Sequence, residues 1–223
     1  MKIPYGLWGV ALLLLLLNAC TQDAYEKGEG KYSSLRADFV EAHAGNNKLV
    51  DYAVTDDGDR LDISVPYSAS WVKTPDSLYR GILYYKGTGA SVEVVALSSV
   101  SVIDSLVPKD SLKQGLKMDP LTLESIWVSK NKRYLNAGIW LKGGETDDSE
   151  AAHRIGVVSD TLIVYADGKR TLRVLLYHDQ GGMPEYYSQR SYFSVLLPGI
   201  QADSLQFTVN TYDGTVVNCL PVR

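Results

Sequence analysis

The sequence predicts an all-β protein in which a small OB-like five-stranded barrel is followed by an immunoglobulin-like β-sandwich. First, apolar and polar residues alternate strictly in short segments, as in Leu61, Ile63 and Val65, and this period of two is typical of half-buried strands. Second, Asp-Gly pairs at 57–58, 167–168 and 213–214 separate such segments, and this dipeptide favours tight hairpin turns. Third, helical periodicity does not extend over twelve or more residues anywhere after the leader.

Residues 35–105 form the predicted barrel domain. Five strand-like segments lie within it, separated by turn residues: 36–43, 49–55, 60–65, 79–85 and 91–103. Five strands in about 70 residues are typical of a small closed barrel of the OB type. Residues 106–120 contain Pro108 and Pro120 and are predicted to be a linker.

Residues 121–223 form the predicted sandwich domain. Its candidate strands are residues 121–129, 134–142, 154–159, 161–166, 170–178, 190–197, 204–212 and 216–220. Seven or eight short strands in about 100 residues favour two packed antiparallel sheets.

The N-terminus reads as a secretory leader over residues 1–19. Its apolar core is shorter than the roughly 20 residues that a transmembrane helix needs. The ending Leu17-Asn18-Ala19-Cys20 resembles the lipobox of bacterial lipoprotein signal peptides. That resemblance implies cleavage before Cys20 and lipidation, including a palmitate-type acyl chain, on this residue. The alternative is an ordinary signal peptide followed by a chance cysteine.

Residues 20–34 are polar, contain glycine and predict a flexible tether between lipid and barrel. The other cysteine, Cys219, lies in an apolar tail and is expected to be a buried small hydrophobe. The formal net charge of −4, with no long basic cluster, argues against nucleic acid as a partner. Attachment to the membrane is therefore expected through the lipid on Cys20.

Several segments of the chain are similar to the NigD-like lipoprotein family. They are Asp119-Pro120-Leu121, Ser125-Ile126-Trp127, Arg133-Tyr134-Leu135-Asn136, Leu175-Leu176-Tyr177-His178 and Tyr192-Phe193-Ser194-Val195, together with the hairpin at residues 53–63. The resemblance implies an OB-like domain and a C-terminal β-sandwich on a lipoprotein of the Gram-negative outer membrane. It implies no catalytic residues, and the family's name, which comes from a bacteriocin gene cluster, suggests immunity.

The search for catalytic and metal sites gives one weak match. Ser70 and Lys73 fit Ser-x-x-Lys, but the companion motifs of the penicillin-binding enzymes are missing or broken. His43, His153 and His178 lack the spacing of metal ligands, and His178 is expected to be a hydrogen-bonded packing residue. We therefore expect no catalytic residue, metal or cofactor. The alternative is a cell-envelope hydrolase that uses paired carboxylates or Ser70 and Lys73.

Tyrosine is unusually frequent, with 15 Tyr against 3 Phe. This bias favours strands whose tyrosine rings are partly buried while their hydroxyl groups contact water. It is also compatible with a binding face. The candidates for a ligand face are Trp71, Tyr84 and Tyr85 in the barrel and Tyr186 and Tyr187 in the glycine-containing loop 179–189. The two loop tyrosines could equally cap the edge of the sandwich. The expected role is that of a non-catalytic binding or accessory module with a protein or glycan partner, on either face of the outer membrane.

The tripeptide Asp-Ser/Thr-Leu occurs five times, more often than composition predicts. It resembles an O-glycosylation sequon used by some Gram-negative bacteria on exported proteins. The candidate acceptors are Ser77, Ser105, Ser111, Thr161 and Ser204. The alternative is turn chemistry, in which Asp-Ser precedes a strand that begins with Leu.

Overall fold

Fourteen β-strands make up most of the computed structural model, which describes residues 34–87, 89 and 91–223. The strands are β1 (Arg36–Ala44), β2 (Val50–Thr55), β3 (Arg60–Tyr67), β4 (Ser77–Lys86), β5 (Ser91–Ser99), β6 (Ser101–Ile103), β7 (Val107–Pro108), β8 (Thr122–Val128), β9 (Tyr134–Gly143), β10 (Arg154–Val164), β11 (Arg170–Asp179), β12 (Tyr187–Leu196), β13 (Ser204–Thr211) and β14 (Gly214–Pro221). A 3₁₀ turn covers Lys109–Ser111. The all-β prediction is confirmed.

The first five strands close into a barrel in the order β1-β2-β3-β5-β4. Antiparallel pairs form most of it, and a short parallel contact between Ile63 on β3 and Val92 on β5 completes the ring. The predicted Asp-Gly turn joins β2 to β3, and Gly58 adopts φ 93°, a left-handed conformation that favours glycine. Alternate residues such as Val40 and Leu83 point inward and are fully buried.

The C-terminal half forms two sheets that pack face to face. One sheet has the order β14-β13-β11-β10-β7 and the other has the order β6-β12-β9-β8. Parallel pairing of β11 with β13 places Leu172 beside Leu205 and Val174 beside Phe207, so that both strands turn apolar side chains toward the same core. The predicted β-sandwich is confirmed.

Two details of the chain path differ from the sequence-based expectation. The segment predicted as one strand over residues 91–103 is interrupted at Val100, and β6 pairs with β12 of the sandwich instead of continuing in the barrel. The segments 154–159 and 161–166 form a single strand, β10, with a bulge between Ser159 and Leu162. A bulge shifts the side-chain alternation, which is why the pattern looked like two strands. The domain boundaries themselves stay a prediction.

Within the part of the chain that the structure describes, helices long and apolar enough to cross a membrane are absent. The predicted leader, Cys20 and almost all of the tether lie outside the described residues.

Candidate functional site

A buried polar cluster joins the barrel to the sandwich. Arg80 on β4 donates to both carboxylate oxygens of Asp56 at 2.7 Å, to Ser194 Oγ at 3.1 Å and to Asn136 Oδ1 at 3.0 Å. Asn136 in turn donates to Asp56 Oδ2 at 2.8 Å and accepts from Ser194 Oγ at 2.7 Å. Because only 2% of the Arg80 side chain is exposed, this charge is stabilised by its partners and hardly by water.

Aromatic rings surround this joint. Phe39 on β1 makes edge-on contacts with Trp127, at 5.3 Å between ring centroids, and with Tyr192, at 5.5 Å. The Arg80 guanidinium also lies 4.1 Å from the centroid of the Tyr134 ring. Apolar packing and a satisfied ion pair therefore hold the outer faces of β1 and β4 against the sandwich.

An exposed surface begins beside the joint, on the outer face of β8, β9 and β12. Arg190 donates to both oxygens of Glu124, at 2.6 and 2.5 Å. Its guanidinium lies 5.1 Å from the Tyr192 ring centroid and 5.9 Å from that of Trp140. We call Tyr84, Glu124, Trp140, Arg190 and Tyr192 the Trp140 patch.

Tyr84 lies on the same face of β4 as Arg80, which is the side of the barrel that faces the sandwich. Burial raises the pKa of Tyr192, the Arg190 charge opposes the shift, and Glu124 and Tyr84 add to it. The pKa of Arg190 is raised chiefly by its hydrogen bond to Glu124, with a smaller contribution from Tyr84. The patch therefore spans both domains, and Trp140 within it is 36% exposed.

Gly138 on β9 provides the space that the Tyr192 ring occupies. A Cβ atom at this position would lie 3.0 Å from Tyr192 Cε1 and 2.8 Å from Ser125 Oγ. Both distances are shorter than ordinary van der Waals contact, so a side chain here would displace the ring. The absence of a side chain therefore shapes the patch.

The five predicted ligand-face residues do not form one surface. Tyr84 belongs to the Trp140 patch, whereas the prediction for Tyr85 is wrong because β4 points this ring into the barrel, where it is 1% exposed. The Tyr85 hydroxyl donates to Asp38 at 2.6 Å, and burial is the main cause that raises its pKa to about 12. Trp71 is half-buried, and its Nε1–H donates to the Leu97 carbonyl at 3.3 Å, so it closes the barrel core.

Tyr186 and Tyr187 lie where β12 begins, and 79% and 54% of their surfaces are exposed. The Tyr186 amide donates to the Gly143 carbonyl at 2.9 Å, which ties this loop to the end of β9. A salt bridge of 2.9 Å between Lys142 and Glu185 adds a second connection. The loop tyrosines are therefore held at the end of the sandwich where β9 ends and β12 begins, with their rings largely in solvent.

The structure gives no support to the hydrolase alternative. Ser70 and Lys73 lie in the exposed connection between β3 and β4, which is not helical, and the Lys73 amide donates to the Tyr79 hydroxyl. Four carboxyl groups have lowered pKa values. The main cause is a hydrogen bond from a lysine side chain for Asp160, Asp179 and Glu185, and from the Lys169 backbone amide for Asp167. These groups stay ionised, which does not suit a general acid.

Four of the five candidate glycosylation residues lie at turns or strand ends, and Thr161 lies at the bulge inside β10. Ser105, Ser111 and Thr161 are exposed, whereas Ser77 and Ser204 are partly buried. Their hydroxyls make local contacts, such as Ser111 Oγ to the Pro108 carbonyl at 2.7 Å and Ser204 Oγ with Thr171 Oγ1 at 2.8 Å. These contacts fit turn chemistry and leave three hydroxyls accessible, so glycosylation stays a prediction.

The expectation for Cys219 is wrong. This residue is an exposed free cysteine on β14, which lies at the edge of its sheet. Its neighbour Leu220 packs against the core, so the strand alternation turns Cys219 outward.

The sequence contained little local signal for the joint or for the patch. Arg80 and Ser194 are separated by 114 positions, so only the folded topology shows that they meet. One indirect signal existed, because Asn136, Tyr192 and Ser194 lie in segments that resemble the family.

Known proteins and structures show which family this chain is related to. No curated protein matches the chain. A NigD-like immunity protein from Bacteroides caccae has a similar structure, with a TM-score of 0.63, 25% sequence identity and coverage of 83% of this chain and 91% of the other. A protein of unknown function from Bacteroides vulgatus shares the fold at a TM-score of 0.61 and 16% identity, with coverage of 84% and 91%.

The sequence model of the NigD-like C-terminal beta sandwich domain matches residues 105–219, which is more than half of the chain. This stretch contains β7 to β13, most of β14 and every member of the Trp140 patch except Tyr84. The chain therefore belongs to the NigD-like family.

Proposed function

We propose that the protein is a lipid-anchored accessory of the outer membrane that binds another protein, in the manner of an immunity protein, and carries out no catalysis. Family membership and the similarity to the Bacteroides caccae immunity protein support an accessory role. The loop position of Ser70 and Lys73 also favours binding over hydrolysis.

The observation that carries the proposal is the composition of the Trp140 patch. Trp, Tyr and Arg are the residues most enriched among binding hot spots between proteins. Here Trp140 is exposed beside Arg190, and hydrogen bonds to Glu124 already orient the Arg190 guanidinium group. A preorganised surface loses less entropy on binding.

A protein partner fits this surface better than a glycan does. The patch follows a β-sheet face and includes a barrel residue, so it offers an extended surface across two domains instead of a narrow sugar pocket. Its Arg190–Glu124 ion pair is partly exposed, at 49% for Arg190 and 29% for Glu124. Interfaces between proteins commonly combine such solvent-accessible polar groups with aromatic anchors.

Co-isolation from native cells tests the binding proposal. The chain would be recovered from solubilised envelopes as wild type, as a Trp140→Ala and Arg190→Ala double variant, and as Val164→Ala. Val164 is 63% exposed on β10 of the other sheet and serves as the matched control. We expect a defined partner with wild type and Val164→Ala that is lost with the double variant. Equal recovery with all three would contradict the proposed surface.

The membrane anchor is tested separately. The lipobox resemblance supports acylation of Cys20, so metabolic labelling with an alkyne fatty acid should label the wild type and leave Cys20→Ala unlabelled. Protease treatment of intact cells would then assign the membrane face. Labelling that persists in Cys20→Ala would contradict lipidation at this residue.

A further inference from the structure

Two histidine rings close the base of the loop between β9 and β10. His153 Nε2 lies 2.9 Å from the Lys142 carbonyl, and His178 Nδ1 lies 2.8 Å from the Asp119 carbonyl. The remaining ring nitrogens, His153 Nδ1 and His178 Nε2, face each other at 3.0 Å. All three distances are those of hydrogen bonds.

Counting protons shows that two neutral rings cannot make these three contacts. A carbonyl oxygen only accepts, so each ring must direct an N–H at its backbone partner. A neutral imidazole has one N–H, and both are then used. The two nitrogens that face each other would present only lone pairs at 3.0 Å, which is repulsive, unless a third proton lies between them.

Burial decides which ring carries the additional proton. His178 is 2% exposed, and desolvation is the main cause that lowers its pKa, so this ring stays neutral. His153 is only half-buried, and as an imidazolium it would donate from Nε2 to Lys142 and from Nδ1 to His178. This assignment satisfies every contact of the pair.

The surrounding charges accommodate a cation at this position. The charged and titratable groups packed around the pair are Lys117 and Asp119 before β8, Lys142 on β9, Arg154 on β10, Tyr177 and Asp179 on β11, Glu185 in the tyrosine loop and Tyr212 after β13. The three carboxylates balance the three cations. The loop that leads from β9 to His153 contains four more acids, at positions 145, 147, 148 and 150, and the structure assigns them no ion pair within residues 91–223.

We propose that His153 and His178 share a third proton at neutral pH and form a charged clasp that holds the acidic loop, residues 144–152, against the tyrosine loop, residues 180–186. This inference does not depend on the proposed binding function. It assigns the histidine pair a conformational role in which uptake or release of one proton closes or loosens two loops.

The contacts between the two loops show how the clasp would act on both. Gly181 approaches the Ala152 carbonyl so closely that a Cβ atom would lie 2.2 Å from its oxygen. At the other end, the Tyr186 amide donates to the Gly143 carbonyl. Without the third proton, the two rings have only two N–H groups for three contacts, so one of the three hydrogen bonds is lost. The two loops then lose one of the contacts that hold their ends together.

The proton count can be measured directly. The full chain has three histidines, so selective ¹⁵N-histidine labelling of the detergent-solubilised protein gives a simple spectrum. At pH 7 we expect ring 153 to carry protons on both nitrogens and ring 178 to carry one, on Nδ1. His43→Gln and His153→Gln assign the signals. Two neutral rings at 153 and 178 would overturn the proposal.

Hydrogen exchange of the loop tests the conformational role in the same samples. As the pH is raised until ring 153 loses its additional proton, amide exchange in residues 144–152 should rise about tenfold beyond the intrinsic rate, as expected for loss of a charge-assisted hydrogen bond. His153→Gln keeps an amide donor for the Lys142 carbonyl and should remove this step, whereas His43→Gln in the barrel should retain it. An identical pH dependence in wild type and His153→Gln would overturn the clasp.

Discussion

Replacing Arg80 with methionine should separate the stabilities of the two domains. The substitution keeps much of the side-chain volume and removes four hydrogen bonds, to Asp56, Asn136 and Ser194. The Asp56 side chain is only 14% exposed, so its charge would remain largely desolvated and without a cation. Breaking a buried ion pair in this way costs about 3–5 kcal/mol.

Thermal and urea unfolding would measure this loss. For a chain of this size, 3–5 kcal/mol corresponds to a decrease in Tm of roughly 6–20 °C. Fluorescence of Trp127, which packs on Phe39 at the joint, should report an early transition that precedes global unfolding. The double variant Arg80→Met with Asp56→Asn should recover part of the loss, because it no longer buries an unpaired charge.

Arg60→Met is the matched control for this experiment. Arg60 pairs with Asp62 at 2.9 Å, but both side chains are more than half exposed. Surface pairs of this kind contribute about 0–1 kcal/mol. If Arg80→Met were no more destabilising than Arg60→Met, or if the double variant recovered nothing, the argument for a buried joint would be wrong.

Other substitutions should have distinct effects. Tyr85→Phe should lower the free energy of unfolding by about 1 kcal/mol in urea titrations, since it removes the hydrogen bond to Asp38; no loss would contradict that bond. Gly81→Ala should be clearly destabilising by calorimetry, because its Cβ would lie 2.7 Å from the Ser98 carbonyl oxygen. His178 has a lowered pKa, so the unfolded state takes up a proton first as the pH falls below about 6.5, and stability should decrease from there. His178→Gln should reduce this slope in pH-dependent unfolding, and an unchanged slope would refute the assignment.

Local chemistry explains what the sequence predicted well. The turn at Asp57-Gly58 requires a glycine with positive φ, and the same holds at Gly168 and Gly214, with φ of 83° and 113°. Alternation along β3 and β11 likewise depends only on nearby residues, so the fold class could be predicted without knowledge of the topology.

The joint and the patch depend on contacts between distant parts of the chain. Asp56 adjoins the hairpin turn at Asp57-Gly58, whereas its partner Asn136 is 80 positions away in the chain. Tyr85 was misassigned because a tyrosine on a strand gives no local sign of which face of that strand is buried. Its burial depends on closure of the barrel. The Trp140 patch was missed apart from Tyr84, because its members come from four strands.

Photocross-linking in native cells would test the proposed binding surface most directly. A photoreactive amino acid would replace Trp140 in the patch, Val164 on the opposite sheet and Val65 on the barrel, and the last two are 63% and 74% exposed. We expect a covalent adduct of one defined protein mass at position 140 and no such adduct at 164 or 65. Adducts that are absent at 140, or equally abundant at all three positions, would contradict the assignment of this face as the protein-binding surface.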